Sequence, residues 1–313
     1  MTKQKTQWKG VVMLMLTALI WGSSFVAQSV GMESVGAFTF SGVRTVLGAI
    51  VLVPFILIRD RLQGRSMTEE QVKERKGKNK KVLRYGAILG VVFCAACNFQ
   101  QFAFEYSTSG KIAFITALYM FFVPLFGLFL KKRVSWLTWV CVVFGFIGLY
   151  FLCIGPGGLG SVNRGDLRAL VCSVFYAMHI LLVEKFAPDV DGIKLSCVQF
   201  AVSGVITCIL MFIFETPQAS AILSIAVPLL YSGIMSCGLA YTFQIVGQKY
   251  TEATVASLIM CLESVFAVLA GALILHEMLT GREIAGCVIM FAAIVVSELS
   301  GLITTKWKRR KQL

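Results

Sequence analysis

The sequence predicts an all-α membrane protein with ten transmembrane helices arranged as two inverted five-helix repeats. Three observations carry that expectation: an apolar composition, ten apolar runs of spanning length, and a match between segments of the two halves. Of the 313 residues, 57 % are hydrophobic and only 14 % charged, and the mean hydropathy is +0.80. A soluble domain carries about 25 % charged residues, so this chain has too few polar side chains to cover a surface in water. The same composition excludes a disordered, collagen-like or disulfide-scaffold chain. At about 20 residues per spanning helix, a chain of this length accommodates about ten spans.

The apolar runs cover residues 11–30, 37–58, 83–104, 109–130, 136–154, 166–186, 193–214, 222–245, 253–275 and 284–303. The first follows Lys3, Lys5 and Lys9 and resembles a signal peptide. It is too long for such a segment and no small-x-small cleavage site follows Trp21-Gly22, so it reads as a retained helix. The only long connection, 59–82, holds a capping box, Ser66-Met-Thr-Glu69, and the i,i+4 pairs Glu69/Lys73 and Glu74/Lys78. A short solvated helix without an apolar face is expected there. Gly86-Ala-Ile-Leu-Gly90 is a small-xxx-small pair suited to close helix packing.

The net charge is formally +13. In a soluble protein that would suggest nucleic acid, but the cations lie between and beyond apolar runs, where they set topology and face anionic headgroups. With the N-terminus in the cytoplasm, twenty-four Lys and Arg fall in inside segments and only four (Lys111, Arg164, Arg168, Arg282) outside. Both termini inside and an even number of spans follow. Residues 304–313 read as a basic cytoplasmic tail, and the cell (inner or plasma) membrane as the location. The ten cysteines fall inside or at the end of apolar runs and behave as small hydrophobes. Cys94-Ala-Ala-Cys97 has a redox spacing but no His or acid near it in sequence.

Tyr106–Arg133 laid over Tyr250–Glu277 at an offset of 144 pairs Tyr106/Tyr250, Ile115/Ile259, Leu118/Leu262, Phe122/Phe266, Leu125/Leu269 and Gly127/Gly271. These segments are the fourth and ninth runs. Five is odd, so the second copy is threaded in the opposite sense. Two halves, 8–154 and 164–303, are expected, separated by Gly155-Pro-Gly-Gly-Leu-Gly160. Inverted repeats of this kind are characteristic of secondary transporters, although gene duplication also builds membrane proteins that do not transport.

Four stretches resemble the drug/metabolite transporter superfamily, in its EamA-type branch. Leu16-Thr-Ala-Leu-Ile-Trp-Gly-Ser-Ser-Phe25 is similar to its first-helix Trp-Gly signature. Phe104-Glu-Tyr-Ser-Thr-Ser-Gly-Lys-Ile-Ala113, with Lys132-Arg133, is similar to the start and end of its fourth helix. Gly165-Asp-Leu-Arg-Ala-Leu170 through Tyr176 resembles the opening of the second half. Leu262-Glu-Ser-Val-Phe266, with His276-Glu-Met-Leu-Thr280 and Gly286, resembles the ninth helix. The chain departs at Met120 and Ser264, where the family often has Pro, and at Arg133, where it has Glu. The resemblance implies ten helices, cytoplasmic termini, a central cavity between the halves, and export or exchange of small metabolites such as amino acids.

Ionisable groups inside a membrane each cost about 2.5–3.5 kcal/mol at the centre on the insertion scale. Glu263 lies mid-way along the ninth run, about 16 Å from either end, placed to bind a proton or a cationic group or to serve as a structural carboxyl. Arg44 lies two turns inside the second run, placed to attract an anionic group, to pair with an acid, or to reach toward the interface. Trp21, Tyr119, Tyr176, His179, Asn98 and Gln244 complete the candidate substrate-binding set. Gln100, Gln101, Gln199 and Tyr241 add further polar tips, for all of which interhelical hydrogen bonding is the plainer role. No cofactor or metal is expected. His179 and His276 have no partner at a catalytic spacing, and no phosphate-binding loop is present. The drive would then be a gradient of proton, sodium or substrate. The expected function is a secondary transporter of a small amino-acid-like or drug-like solute, with export as the expected direction. A membrane-embedded enzyme acting on lipid and a non-transporting membrane subunit stand as the alternatives.

Overall fold

The computed structural model describes residues 2–64, 69–107, 109–132, 134–154, 163–274 and 280–310, and among them the regular structure is all helical. The elements are α1 (Thr2–Gly31), α2 (Ala37–Gly64), α3 (Glu69–Ala103), α4 (Ser109–Thr116), α5 (Tyr119–Phe129), α6 (Trp136–Cys153) and α7 (Arg164–Phe186). After a 3₁₀ turn at Ala187–Asp189 come α8 (Gly192–Phe214), α9 (Ala219–Ser224) and α10 (Ala226–Leu230), then a π-helix at Tyr231–Ala240. The chain closes with α11 (Tyr241–Gly247), α12 (Ala253–Met260), α13 (Leu262–Ile274) and α14 (Gly281–Arg310). Eight helical stretches among the described residues are long and apolar enough to cross a bilayer, and Trp136–Phe151 is a shorter apolar helix. The chain is a multi-pass membrane protein.

The 59–82 connection is helical over more of its length than the one short solvated helix expected there. Helix α2 continues to Gly64 and α3 already begins at Glu69. The extensions are held by ion pairs: Arg75 to Asp60 at 2.5 Å, Lys194 to Asp60 at 2.7 Å and Arg59 to Asp191 at 2.5 Å. Asp191 also caps α8, accepting from the Ile193 and Lys194 amides. Ser66 of the expected capping box, Arg133, the Gly155–Gly160 break and His276-Glu277 lie outside the described residues. Most of the expected tail is helical, because α14 runs on to Arg310.

Three expected helices are interrupted. The fourth run divides into α4 and α5 around Ala117 and Leu118, where i→i−3 bonds (Leu118 N to Ile115 O, 3.2 Å; Met120 N to Ala117 O, 3.1 Å) tighten the turn. The ninth divides at Cys261, with Ser264 N donating to Cys261 O at 3.1 Å. Adding 144 to the bounds of α4 gives the bounds of α12. The eighth run is the most altered, split among α9, α10, the π-helix and α11. Pro228 in α10 removes a helical donor, and the wider π turn follows directly.

The bundle packs α2 along α8, α6 along α14, α3 along α7 and α8, and α1 along α13. Gly86 and Gly90 lie against Val198 and Val202 of α8; a Cβ at Gly90 would stand 2.8 Å from the Gln199 carbonyl. The small-xxx-small pair therefore does set a close approach. At one end of the bundle, Glu215 after α8 caps α2. Its carboxylate accepts from the Phe38 amide (2.9 Å), the Thr39 amide (2.8 Å) and the Thr39 hydroxyl (2.6 Å). Residue 36 is Gly because a Cβ there would fall 2.3 Å from that carboxyl. Glu215→Ala is expected to cost about 1–2 kcal/mol, the range for losing a cap and its dipole partner. Thermal unfolding in detergent reads it, and an unchanged melt would mean that the cap adds nothing to stability.

Candidate functional site

The helix breaks bring polar side chains to the centre of the bundle. Glu263 stands in the first turn of α13 and Tyr119 in the first turn of α5. The Tyr119 hydroxyl donates to Glu263 Oε1 at 3.2 Å, and the Cys261 thiol faces the Ala117 carbonyl at 3.6 Å. Both contacts join residues 144 apart, the offset of the sequence match. Glu263 is only 3 % exposed. No ion pair to it is present among the described residues.

Beside this pair lies a cavity with a water-accessible volume of about 30 Å³, room for about two waters. Arg44, 4 % exposed, borders it from α2. Its Nη2 donates to Cys97 Sγ at 2.8 Å, its guanidinium lies 5.6 Å from the Phe40 ring centre, and its Nε is unpaired. No carboxylate pairs with Arg44 among the described residues. From α7, the Tyr176 hydroxyl donates to Gln100 Oε1 at 3.3 Å and accepts from the Tyr241 hydroxyl at 3.1 Å. Gln100 donates in turn to Thr116 at 3.4 Å. Trp21 packs on Tyr241 with ring centres 4.4 Å apart, leaving its Nε1 unpaired, as is Gln244 Oε1.

The structure thus brings Glu263, Trp21, Tyr176, Gln244, Tyr119 and Arg44 to one cavity. It does not bring Asn98 or His179 there. Asn98 donates to Thr207 (3.0 Å) and to the Cys94 carbonyl (2.9 Å), tying α3 to α8. His179 shares a 2.7 Å bond with Gln199. Both amide and imidazole act as interhelical ties. Sequence reasoning left Phe25, Gln28, Thr116, Ile180 and Ser236 out of the lining. Gln28 stands two turns beyond Trp21 on α1, which is the one signal that pointed to it.

Polar contacts also join the helices at the two ends of the bundle. On the side of the α3–α4 connection, Asp166 accepts from Lys111 (2.6 Å) and Ser107 (2.9 Å), and Arg168 pairs with Glu105 at 2.8 Å. On the opposite side, Lys132 pairs with Glu184, whose other oxygen accepts from the Ala253 amide at 3.2 Å. There Lys249 donates to the Val190 carbonyl at 2.6 Å. Burial pushes its ammonium below the usual lysine range, against the opposing pull of Asp191.

Helices long and apolar enough to cross the membrane many times, packed around a cavity lined by both Arg44 and Glu263, define an integral membrane protein. The EamA-like transporter family matches the chain twice, over residues 8–154 and 163–299, and the chain belongs to that family. An uncharacterized transporter of Archaeoglobus fulgidus is 26 % identical over 293 residues, covering 91 % of this chain and 84 % of the relative. The uncharacterized transporter YoaV of Bacillus subtilis is 24 % identical, covering 94 % and 96 %. The uncharacterized inner membrane transporter YedA of Escherichia coli is 24 % identical, covering 89 % and 87 %. A solved crystal structure superposes with a TM-score of 0.72 at 17 % identity, over 93 % of this chain and 96 % of that one. At that identity the likeness is one of fold.

Proposed function

We propose that this protein is a secondary transporter that moves a small amino-acid-like or drug-like solute out of the cell by alternating access. The observation that carries the reading is the cavity, with the Arg44 guanidinium and the Glu263 carboxyl on its wall and the Trp21, Tyr176 and Tyr241 rings beside them. A carboxylate or similar anion on the solute supplies the partner that Arg44 lacks. A proton or a solute ammonium meets Glu263, and the rings cover the apolar part. Room for two waters is far below the 300–1,000 Å³ of a drug-sized site, so the solute enters a wider conformer than this one.

The same proposal includes ten spans in two inverted halves, 8–154 and 164–303, with both termini in the cytoplasm. Three features support it: the double family match, the matching breaks of α4 and α12, and the excess of cations in the expected inside segments. In this arrangement the Lys111–Asp166 and Arg168–Glu105 pairs close the outer side, and Lys132–Glu184 and Arg59–Asp191 the inner side. Opening one set while the other holds gives alternating access.

Purified protein in proteoliposomes, preloaded with a mixture of labelled amino acids and related metabolites, tests the function. Time-dependent efflux of at least one solute above protein-free vesicles is expected. Folded protein that moves none of the mixture, or that modifies a lipid without vectorial movement, overturns the reading.

A further inference from the structure

Helix α3 has 35 residues, about 52 Å at 1.5 Å each, against a hydrocarbon core of about 30 Å. Its first turns therefore stand clear of the core. On this N-terminal part, Lys76, Lys80 and Arg84 recur at four-residue steps, which places them in one row along the helix. All three are exposed, with Lys81 exposed beside them. Two of the other charges nearby are taken: Lys78 pairs with Glu74 at 2.8 Å, and Arg75 with Asp60. No ion pair to Lys76, Lys80 or Arg84 is present among the described residues.

The next step along the same row is Ile88, followed by Val91, and both are exposed apolar side chains, Val91 at 55 %. Leu83, 61 % exposed, flanks the junction. The opposite face is occupied, with Val82, Gly86 and Leu89 buried. One continuous exposed row thus passes from three unpaired cations to lipid-facing hydrocarbon, and the change occurs within one helical turn.

We propose that this row of α3 is a binding site for an anionic phospholipid, the phosphate headgroup on Lys76, Lys80 and Arg84 and an acyl chain along Ile88 and Val91. The cations match the headgroup charge, and the apolar continuation matches the chain below it. A soluble anion would use only the first half of the row. The general excess of positive charge orients the chain whatever its pattern, whereas a single face with this order selects an amphiphile. The proposal needs only that α3 spans the bilayer and is independent of what the cavity carries.

The test uses the full-length protein, extracted and exchanged into detergent with equal phosphatidylglycerol and phosphatidylcholine, and native mass spectrometry to count retained lipids. Wild type is expected to retain phosphatidylglycerol preferentially. The variant Lys76→Gln/Lys80→Gln/Arg84→Gln is expected to lose at least tenfold of that preference, each surface cation contributing about fivefold. A control that removes three other exposed cations, Lys9→Gln/Lys131→Gln/Lys185→Gln, is expected to retain it. Equal loss in both variants, or loss in neither, overturns the site. If the triple variant does not purify, Lys80→Glu alone serves, with loss of preference expected and its retention contrary.

Discussion

Replacing Glu263 by glutamine is expected to lower solute flux in proteoliposomes at least tenfold while leaving the yield of folded protein near wild type. Glutamine has the same shape, and its Oε1 accepts the Tyr119 hydroxyl as the carboxyl does now. A purely structural role therefore survives the change. A role in holding a proton or a cationic group does not, because the amide carries neither. Contacts to a charged group contribute about 1.5–3 kcal/mol, which corresponds to at least tenfold in rate. Flux measured across pH separates the two roles further: the variant should respond less to pH than wild type. Equal flux with the same pH profile would remove Glu263 from the mechanism and leave it as a tie between α5 and α13.

The central pair also indicates what the sequence discloses and what it conceals. Spanning helices are legible because an apolar stretch of 18 or more residues with few charges is long enough to cross the hydrocarbon core and is rare in soluble chains. Glu263 and Arg44 stand out because a charge in such a run is costly, and both reach the cavity. The helix breaks are not legible. Ala117-Leu118 and Cys261 contain neither Gly nor Pro, and the tight i→i−3 turns there show only in the hydrogen bonds of the folded chain. The match at an offset of 144 marks the segments that break, but not the break itself. Uncharged polar residues are harder still. Asn98 and Gln28 look alike in an apolar run, yet Asn98 ties α3 to Thr207 while Gln28 lines the cavity. Only the rotation of each helix against its neighbours separates them, and a uniformly apolar helix carries little periodic signal to fix that rotation. Over 59–82 a helix is legible, but not its extent. Charges that read as one short solvated helix are paired across α2, α3 and α8 and prolong the flanking spans.

Gly22 is where the largest loss of stability is expected. Trp21 faces the cavity, and its neighbour Gly22 brings α1 onto the backbone of α13. A Cβ at Gly22 would lie 2.6 Å from the Glu263 carbonyl, 2.7 Å from Phe266 Cβ and 2.8 Å from the Ala267 amide nitrogen. None of these is the end of a flexible side chain, so the helices themselves must separate. Overpacking of this kind costs about 1–3 kcal/mol, and Gly22→Ala should unfold earlier on heating in detergent, Gly22→Val earlier still. Flux should fall with them, since moving α1 away from α13 separates Trp21 from Glu263. Gly77 and Gly281 have nothing within 4 Å of an added Cβ, so Gly77→Ala and Gly281→Ala control for the loss of a glycine as such. If Gly22→Ala melts and transports like these two, α1 and α13 do not meet as closely as the cavity requires. The Trp-Gly pair would then act through tryptophan alone.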